Sequence, residues 1–194
     1  MADPHSVKVM DLGSPVDTTT KLLAPIADAE WPRELEALRG GFASELNVYR
    51  VMAHHPALLQ AWTSLRNHLT LGSTLSARWR ELAILRTARF IDSRYEWIHH
   101  VERGRASGLT DPEIAAVGLS DLSSAFGDAD TALLKTTDAL LKGLGLSALQ
   151  VDVAAEYMSA QQLLDLMATV GMYLTLGFIL KSFRTPLEKR FEPT

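Results

Sequence analysis

Between Ser76 and Gly108 the chain reads SARWRELAILRTARFIDSRYEWIHHVERGRASG, and this stretch leaves little choice of fold. Its first half is an apolar run (Leu82, Ala83, Ile84, Leu85, Ala88) that carries Glu81. Its second half carries Glu96 and His100 four positions apart. The break at Ile91-Asp92-Ser93 divides the stretch into two helices, with Ser76 and Ser93 as N-caps and Gly108 as the stop. The four-residue spacing puts Glu96 and His100 on one helix face, with Cβ atoms about 6 Å apart. Two carboxylates and an imidazole facing one cavity would form an acid/base site.

The rest of the chain is punctuated in the same way. Residues 1–30, with Pro4, Gly13, Pro15, three consecutive threonines and Pro25, are expected to form an extended arm. Such an arm can lie over a neighbouring subunit. Pro32 opens a short helix that stops at Gly40-Gly41. Glu45–His54 reads as a second helix. Pro56 opens a third, with Leu58, Leu59, Trp62, Leu65 and Leu69 at helical spacing and Gly72 at its end. Leu109-Thr110-Asp111-Pro112-Glu113-Ile114 is a strong helix start, combining a Thr110/Glu113 capping box with a Leu109–Ile114 staple. Asp128–Lys142 is amphipathic. Ser147 caps a helix to about Met158. Ser159 and Gln162 box the start of a long apolar helix to Phe183, whose all-round hydrophobicity marks a central core helix or an oligomer contact. The tail, RTPLEKRFEPT, is polar and expected to fray. SARWRELAILRTA and SAQQLLDLMATVG echo each other faintly, with Leu164 standing where the first has Glu81. No stretch alternates with period two for long enough to make a strand, so the predicted class is all-α, one helical domain over residues 31–194.

Composition removes several chemistries. At 47% hydrophobic and 22% charged, the chain is ordinary for a globular protein. A net charge of −4 gives no footprint for nucleic acid. With no cysteine, it has no disulfide, no thiolate metal site and no peroxidatic thiol. The N-terminus lacks a basic region followed by an apolar core, and the apolar run Leu166–Leu180 falls short of the roughly 20 residues of a spanning helix. A cytoplasmic protein with no membrane partner is the expectation. His54, His55 and His68 match no standard metal spacing, and Pro56 makes a helix start the simpler account of the first two, so no metal is expected. There is no glycine-rich phosphate loop and no GxSxG elbow.

Each candidate has a plain alternative. Ser93-x-x-Glu96 is itself a capping-box pattern, which would occupy Glu96 with backbone N–H groups. A lone helical histidine such as His100 is often a packing residue, although a carboxylate within reach would fix its tautomer and keep it basic. Glu81 sits among apolar neighbours and needs a partner. Arg78, three residues earlier, would make an ordinary ion pair, whereas His100 on the next helix would make a site. His99 points about 100° away from His100 around the helix and is expected at the surface or at an interface.

At these residues the sequence resembles the carboxymuconolactone decarboxylase family, which includes the alkylhydroperoxidase D-like proteins. The likeness is carried by Arg80-Glu81-Leu82-Ala83-Ile84-Leu85, by Tyr95-Glu96-Trp97 with His100, and by Gly108-Leu109-Thr110-Asp111-Pro112-Glu113-Ile114. It implies an all-helical alkylhydroperoxidase D-like bundle that assembles as homotrimers or hexamers. Peroxidase members of that family carry Cys-x-x-Cys where this chain has Ser93 and Glu96. Serine cannot pass through a sulfenic acid or a disulfide, so the dithiol route is closed. Glu81 and His100 match the proton-relay residues of those members. Tyr-Glu-Trp-x-x-His is similar to the decarboxylase-like branch, which loses carbon dioxide from a small lactone acid without a cofactor.

The resulting expectation is a cofactor-independent acid/base enzyme, a lyase acting on a small-molecule acid. Glu81, Glu96 and His100 are its expected catalytic groups, and Arg78, Tyr95 and His99 are expected to bind substrate. The competing expectations are a member of the peroxidase family without dithiol activity and a non-catalytic oligomeric binding protein. A pocket of some hundreds of Å³ opening onto Glu96 and His100 would favour the enzyme. A fully self-satisfied polar network would favour the binding protein.

Overall fold

The computed structural model describes residues 23–119, 122 and 125–191. Most of the expected arm, residues 1–22, and the end of the tail, residues 192–194, lie outside the described residues. The described residues are helical and turn structure with no strand. Nine α-helices occur among them: α1 (Phe42–Glu45), α2 (Asn47–Met52), α3 (Pro56–Asn67), α4 (Ala77–Phe90), α5 (Arg94–Ala106), α6 (Asp111–Ala116), α7 (Asp128–Gly143), α8 (Ala148–Ala155) and α9 (Ala160–Ser182). Short 3₁₀ turns at Asp28–Glu30, Arg33–Leu38 and Lys189–Phe191 join them, and α3 runs on as a π-helical turn to Gly72.

The caps that the sequence announces are in place. Ser76 accepts from Trp79 N–H and Ser93 from Glu96 N–H, while Thr110 with Glu113 and Ser159 with Gln162 form complete capping boxes. The turn between α4 and α5 passes through Asp92 at φ 51°, a left-handed conformation that Asp tolerates better than most residues.

The central helix is α4, packed against α5, α7 and α9. Glu81 to Ala88 are buried without interruption, so this segment has no solvent face. On one side Leu82 and Leu85 join a core with Leu133 and Leu134 of α7 and Leu166 and Val170 of α9. On the other, Ile84 joins a second core with Trp31, Val48, Leu59, Tyr95, Tyr173 and Leu176. By length and apolar composition α9 could cross a membrane, but half of it is buried inside the fold, where it packs on α2, α4, α7 and α8. The faint internal echo does not extend to packing, because Leu164 is exposed where Glu81 is buried.

Two local expectations are corrected. The helix read over Glu45–His54 is two helices, broken at Leu46 in extended conformation (φ −107°, ψ 126°). There Asn47 N–H donates to Glu188 Oε1 at 2.7 Å, a tertiary partner in place of a helical one. The tail does not fray through Phe191: Leu187 packs on the second core and Asn47 Nδ2 donates to the carbonyls of Pro186 and Leu187.

Candidate active site

Glu81 lies in the second turn of α4, and α5 packs back on α4 after the Asp92 turn, so the two helices bring Glu81 against His100. His100 Nδ1 is 2.6 Å from Glu81 Oε2. A carboxylate accepts, so Nδ1 carries the proton and Nε2 presents its lone pair. Arg103, one turn further along α5, donates Nη1–H to that Nε2 at 3.2 Å. Glu96 Oε2 is 3.6 Å from the same Nε2. The ring of Tyr173, from α9, meets the imidazole edge-on at 4.9 Å between centroids. Glu81, Glu96 and His100 are each no more than 4% exposed.

The plain alternatives for these residues do not describe the geometry. Ser93 receives the Glu96 N–H at 3.3 Å, but the Glu96 side chain does not return to the cap. It turns inward, where Oε1 is buried without a hydrogen-bond partner. Burial therefore dominates and pushes Glu96 up to about 7, against the lowering influence of His99 and Arg103. Burial likewise lowers His100, with the Glu81 hydrogen bond opposing it. A raised carboxyl beside a lowered imidazole favours the proton on Glu96 and the lone pair on His100, so the two face each other as acid and base.

Arg78 lies elsewhere. Its guanidinium runs toward α6 and α7, bonded to Glu113 and to Asp130 Oδ2 at 2.7 Å. Asp130 Oδ1 also accepts from Trp79 Nε1 at 2.8 Å. Arg78 thus pins helices together, and it neither pairs with Glu81 nor faces His100. The cation beside the imidazole is Arg103, which the i,i+3 spacing from His100 could have flagged.

Tyr95 and His99 are near the site, and His99 is buried rather than exposed, at 3%. The two rings stack at 4.4 Å. His99 Nδ1 donates to the Tyr95 carbonyl at 2.9 Å, and Nε2 comes within 2.7 Å of Glu188 Oε2 without the alignment of a hydrogen bond. Tyr95 OH donates to Glu188 Oε1 and accepts from Val48 N–H at 3.4 Å. Burial would raise the Glu188 carboxyl, but His99, Tyr95 and the Asn47 amide outweigh it and hold it at about 2. Burial and the Glu188 contact raise the Tyr95 phenol. Phe191 meets the His99 ring edge-on at 4.7 Å, so the tail covers this side of α5.

A cavity of about 20 Å³ lies between these groups, lined by Tyr49, Tyr95, Glu96, His99, His100, Arg103 and Tyr173, among others. That is room for roughly one water, not the hundreds of Å³ expected of an open substrate pocket. Among the described residues, the other histidines have partners of their own. His55 caps α3, His54 Nε2 meets the Ala24 carbonyl at 2.8 Å, and His68 Nε2 pairs with Asp165 at 2.7 Å.

Residues 56–139 match the carboxymuconolactone decarboxylase family. No curated protein matched the chain. Among solved structures, a protein of unknown function from Agrobacterium tumefaciens, provisionally an antioxidant defence protein AhpD, is 22% identical. It has a TM-score of 0.63, covering 70% of this chain and 94% of that one. The debrominase Bmp8 in complex with 2,3,4-tribromopyrrole is 16% identical with a TM-score of 0.73, covering 89% and 95%. The alkylhydroperoxidase AhpD core of a peroxidase-related protein from Ralstonia eutropha JMP134 is 16% identical with a TM-score of 0.71, covering 87% and 94%. At these identities the likeness is one of fold. Over residues 56–139 the chain is thus similar to the carboxymuconolactone decarboxylase family, and its helical fold is alkylhydroperoxidase D-like.

Proposed function

We propose that this protein is a cofactor-independent acid/base enzyme acting on a small carboxylic or lactone acid, with decarboxylation as its reaction. The observation that carries the reading is the buried, half-unpartnered Glu96 carboxyl 3.6 Å from the lone-pair nitrogen of a His100 that Glu81 holds in one tautomer. Loss of carbon dioxide from a bound carboxylate leaves its electron pair on carbon as an enolate. The proton held between Glu96 and His100 Nε2 is then delivered to that carbon, and Arg103 offsets the negative charge beforehand. A proton from solvent restores the pair. Positioned acid/base catalysis of this kind contributes about 10²–10⁴-fold.

A dithiol peroxidase is excluded, because the chain has no cysteine. The small cavity favours the second reading, a non-catalytic polar core in an oligomeric binding protein. The two part on one experiment. Lactone and 3-keto acids are screened for carbon dioxide release in D₂O, and the product is examined for deuterium at the carbon that lost the carboxyl. The enzyme reading expects turnover with one deuterium incorporated and a loss of about 100-fold or more in His100→Gln and Glu96→Gln. Turnover unchanged in both variants would overturn it. Assembly into a homotrimer or hexamer and a cytoplasmic location belong to the same proposal.

A further inference from the structure

We propose that Tyr95, His99 and the Asn47 amide form a binding subsite for a substrate carboxylate, and that Glu188 of the chain's own tail fills it until a small acid takes its place. The inference rests on the acid/base reading of the neighbouring groups and names the part of the site that would hold the acid.

Three observations carry it. First, the donors converge on a carboxylate. Tyr95 OH and the Asn47 N–H both donate to Glu188 Oε1, and His99 Nε2 lies 2.7 Å from Oε2. A phenol and an amide donating to one carboxylate oxygen, with an imidazole beside the other, are what an enzyme for small acids needs, and here the ligand is internal. Second, Tyr95 and His99 also line the cavity at His100, so the carboxylate they hold adjoins the acid/base groups. Third, that cavity takes about one water, so no small acid fits beside His100 in the closed arrangement. The tail is held by Asn47 Nδ2 on two of its carbonyls, by Phe191 edge-on against His99 and by Leu187 on the second core. A swing of Pro186–Phe191 away from α5 would free the donors and join the vacated space to the cavity. The tail then acts as a tethered competitor, lowering the apparent affinity for any acid by the fraction of time it is closed.

The test uses benzoate, whose ring must extend toward His100, with benzamide as its uncharged counterpart. Binding is read from imidazole ¹H–¹⁵N resonances and needs no turnover. Glu188→Ala is expected to bind benzoate about ten-fold or more tighter than the wild type, with shifts at both His99 and His100, and to ignore benzamide. Adding Tyr95→Phe to Glu188→Ala should weaken benzoate by about ten-fold. Should Glu188→Ala fail to fold, Glu188→Gln keeps the tail's shape and should gain several-fold. Equal benzoate affinity with and without the Glu188 carboxylate, equal affinity for benzamide, or shifts at neither histidine overturns the subsite. That failure leaves the proton chemistry of Glu96 and His100 standing. Conversely, benzoate binding as expected alongside turnover unaffected by His100→Gln retains the subsite and discards the chemistry.

Discussion

Glu81 accepts a hydrogen bond from His100 Nδ1 at 2.6 Å, tying the second turn of α4 to the middle of α5. The contact decides which ring nitrogen faces the cavity. Glu81→Gln removes the acceptor's charge and lets the side-chain amide donate instead, so the imidazole can flip its proton to Nε2. The expected outcome is an altered pattern of His100 ring ¹⁵N shifts, with a stability loss of about 1–3 kcal/mol for the disturbed buried pair. Turnover, once a substrate is in hand, should fall by about 10–100-fold through the orientation of the ring.

Glu96 titrates in the opposite sense from most carboxylates in folded proteins. Its folded value is raised to about 7, chiefly by burial, from a model-peptide value near 4.5. Between those values the native state binds the proton and the unfolded state has lost it. Stability therefore falls as pH rises from about 4.5 to 7 and levels off above. Glu96→Gln should match the wild type near pH 5 and exceed it at pH 8 by up to about 3 kcal/mol, measured by urea denaturation at both pH values. A Glu96-dependent activity should decline as pH rises through about 7.

Arg78 serves the bundle. Its bonds to Glu113 and Asp130 link α4 to α6 and α7, and the Glu113 bond is the main reason the Glu113 carboxyl falls to about 2. Arg78→Ala should lower stability by about 1–2 kcal/mol while leaving the affinity for a small acid unchanged. A calorimetric scan together with a benzoate titration of the same sample checks both halves.

Asp165 holds α9 to the segment before α4. It accepts from Thr74 N–H at 2.6 Å, Thr74 Oγ1 at 2.7 Å and Ser73 Oγ at 3.2 Å, and it pairs with His68. Burial would raise it, but these donors hold it at about 2, so its contribution is present above about pH 4 and is lost as pH falls toward 2. Asp165→Ala is expected to cost about 2–3 kcal/mol and to lower Tm by about 5–10 °C, read by calorimetry at pH 7.

The fold was legible because its signals are local. Serine and threonine caps, the Leu109-to-Ile114 start and the apolar runs each act within a turn or two, and they fix the helix ends wherever the tertiary structure does not interfere. Asn47 shows the interference: its amide goes to a residue in the tail, and the helix read through it breaks. Glu81, Glu96 and His100 were visible as polar groups on faces that had to be buried, and the structure brings them together. Arg78 was misread because spacing along one helix says which residues can meet, not which neighbours from other helices compete for them. Glu188 could not be found in this way. Nothing in a polar C-terminal segment marks one carboxylate as half-buried, and its partners lie on α2 and α5.

The bond between Asn47 and Glu188 spans 141 positions of sequence. Synthesis must therefore reach Glu188 before this corner of the molecule can be sealed. A ribosome that stalled or terminated a few codons short of Glu188 would release a bundle with α1–α9 intact and its acidic plug missing. Loss of the segment that follows α9 would then change what the protein admits while leaving α1–α9 untouched.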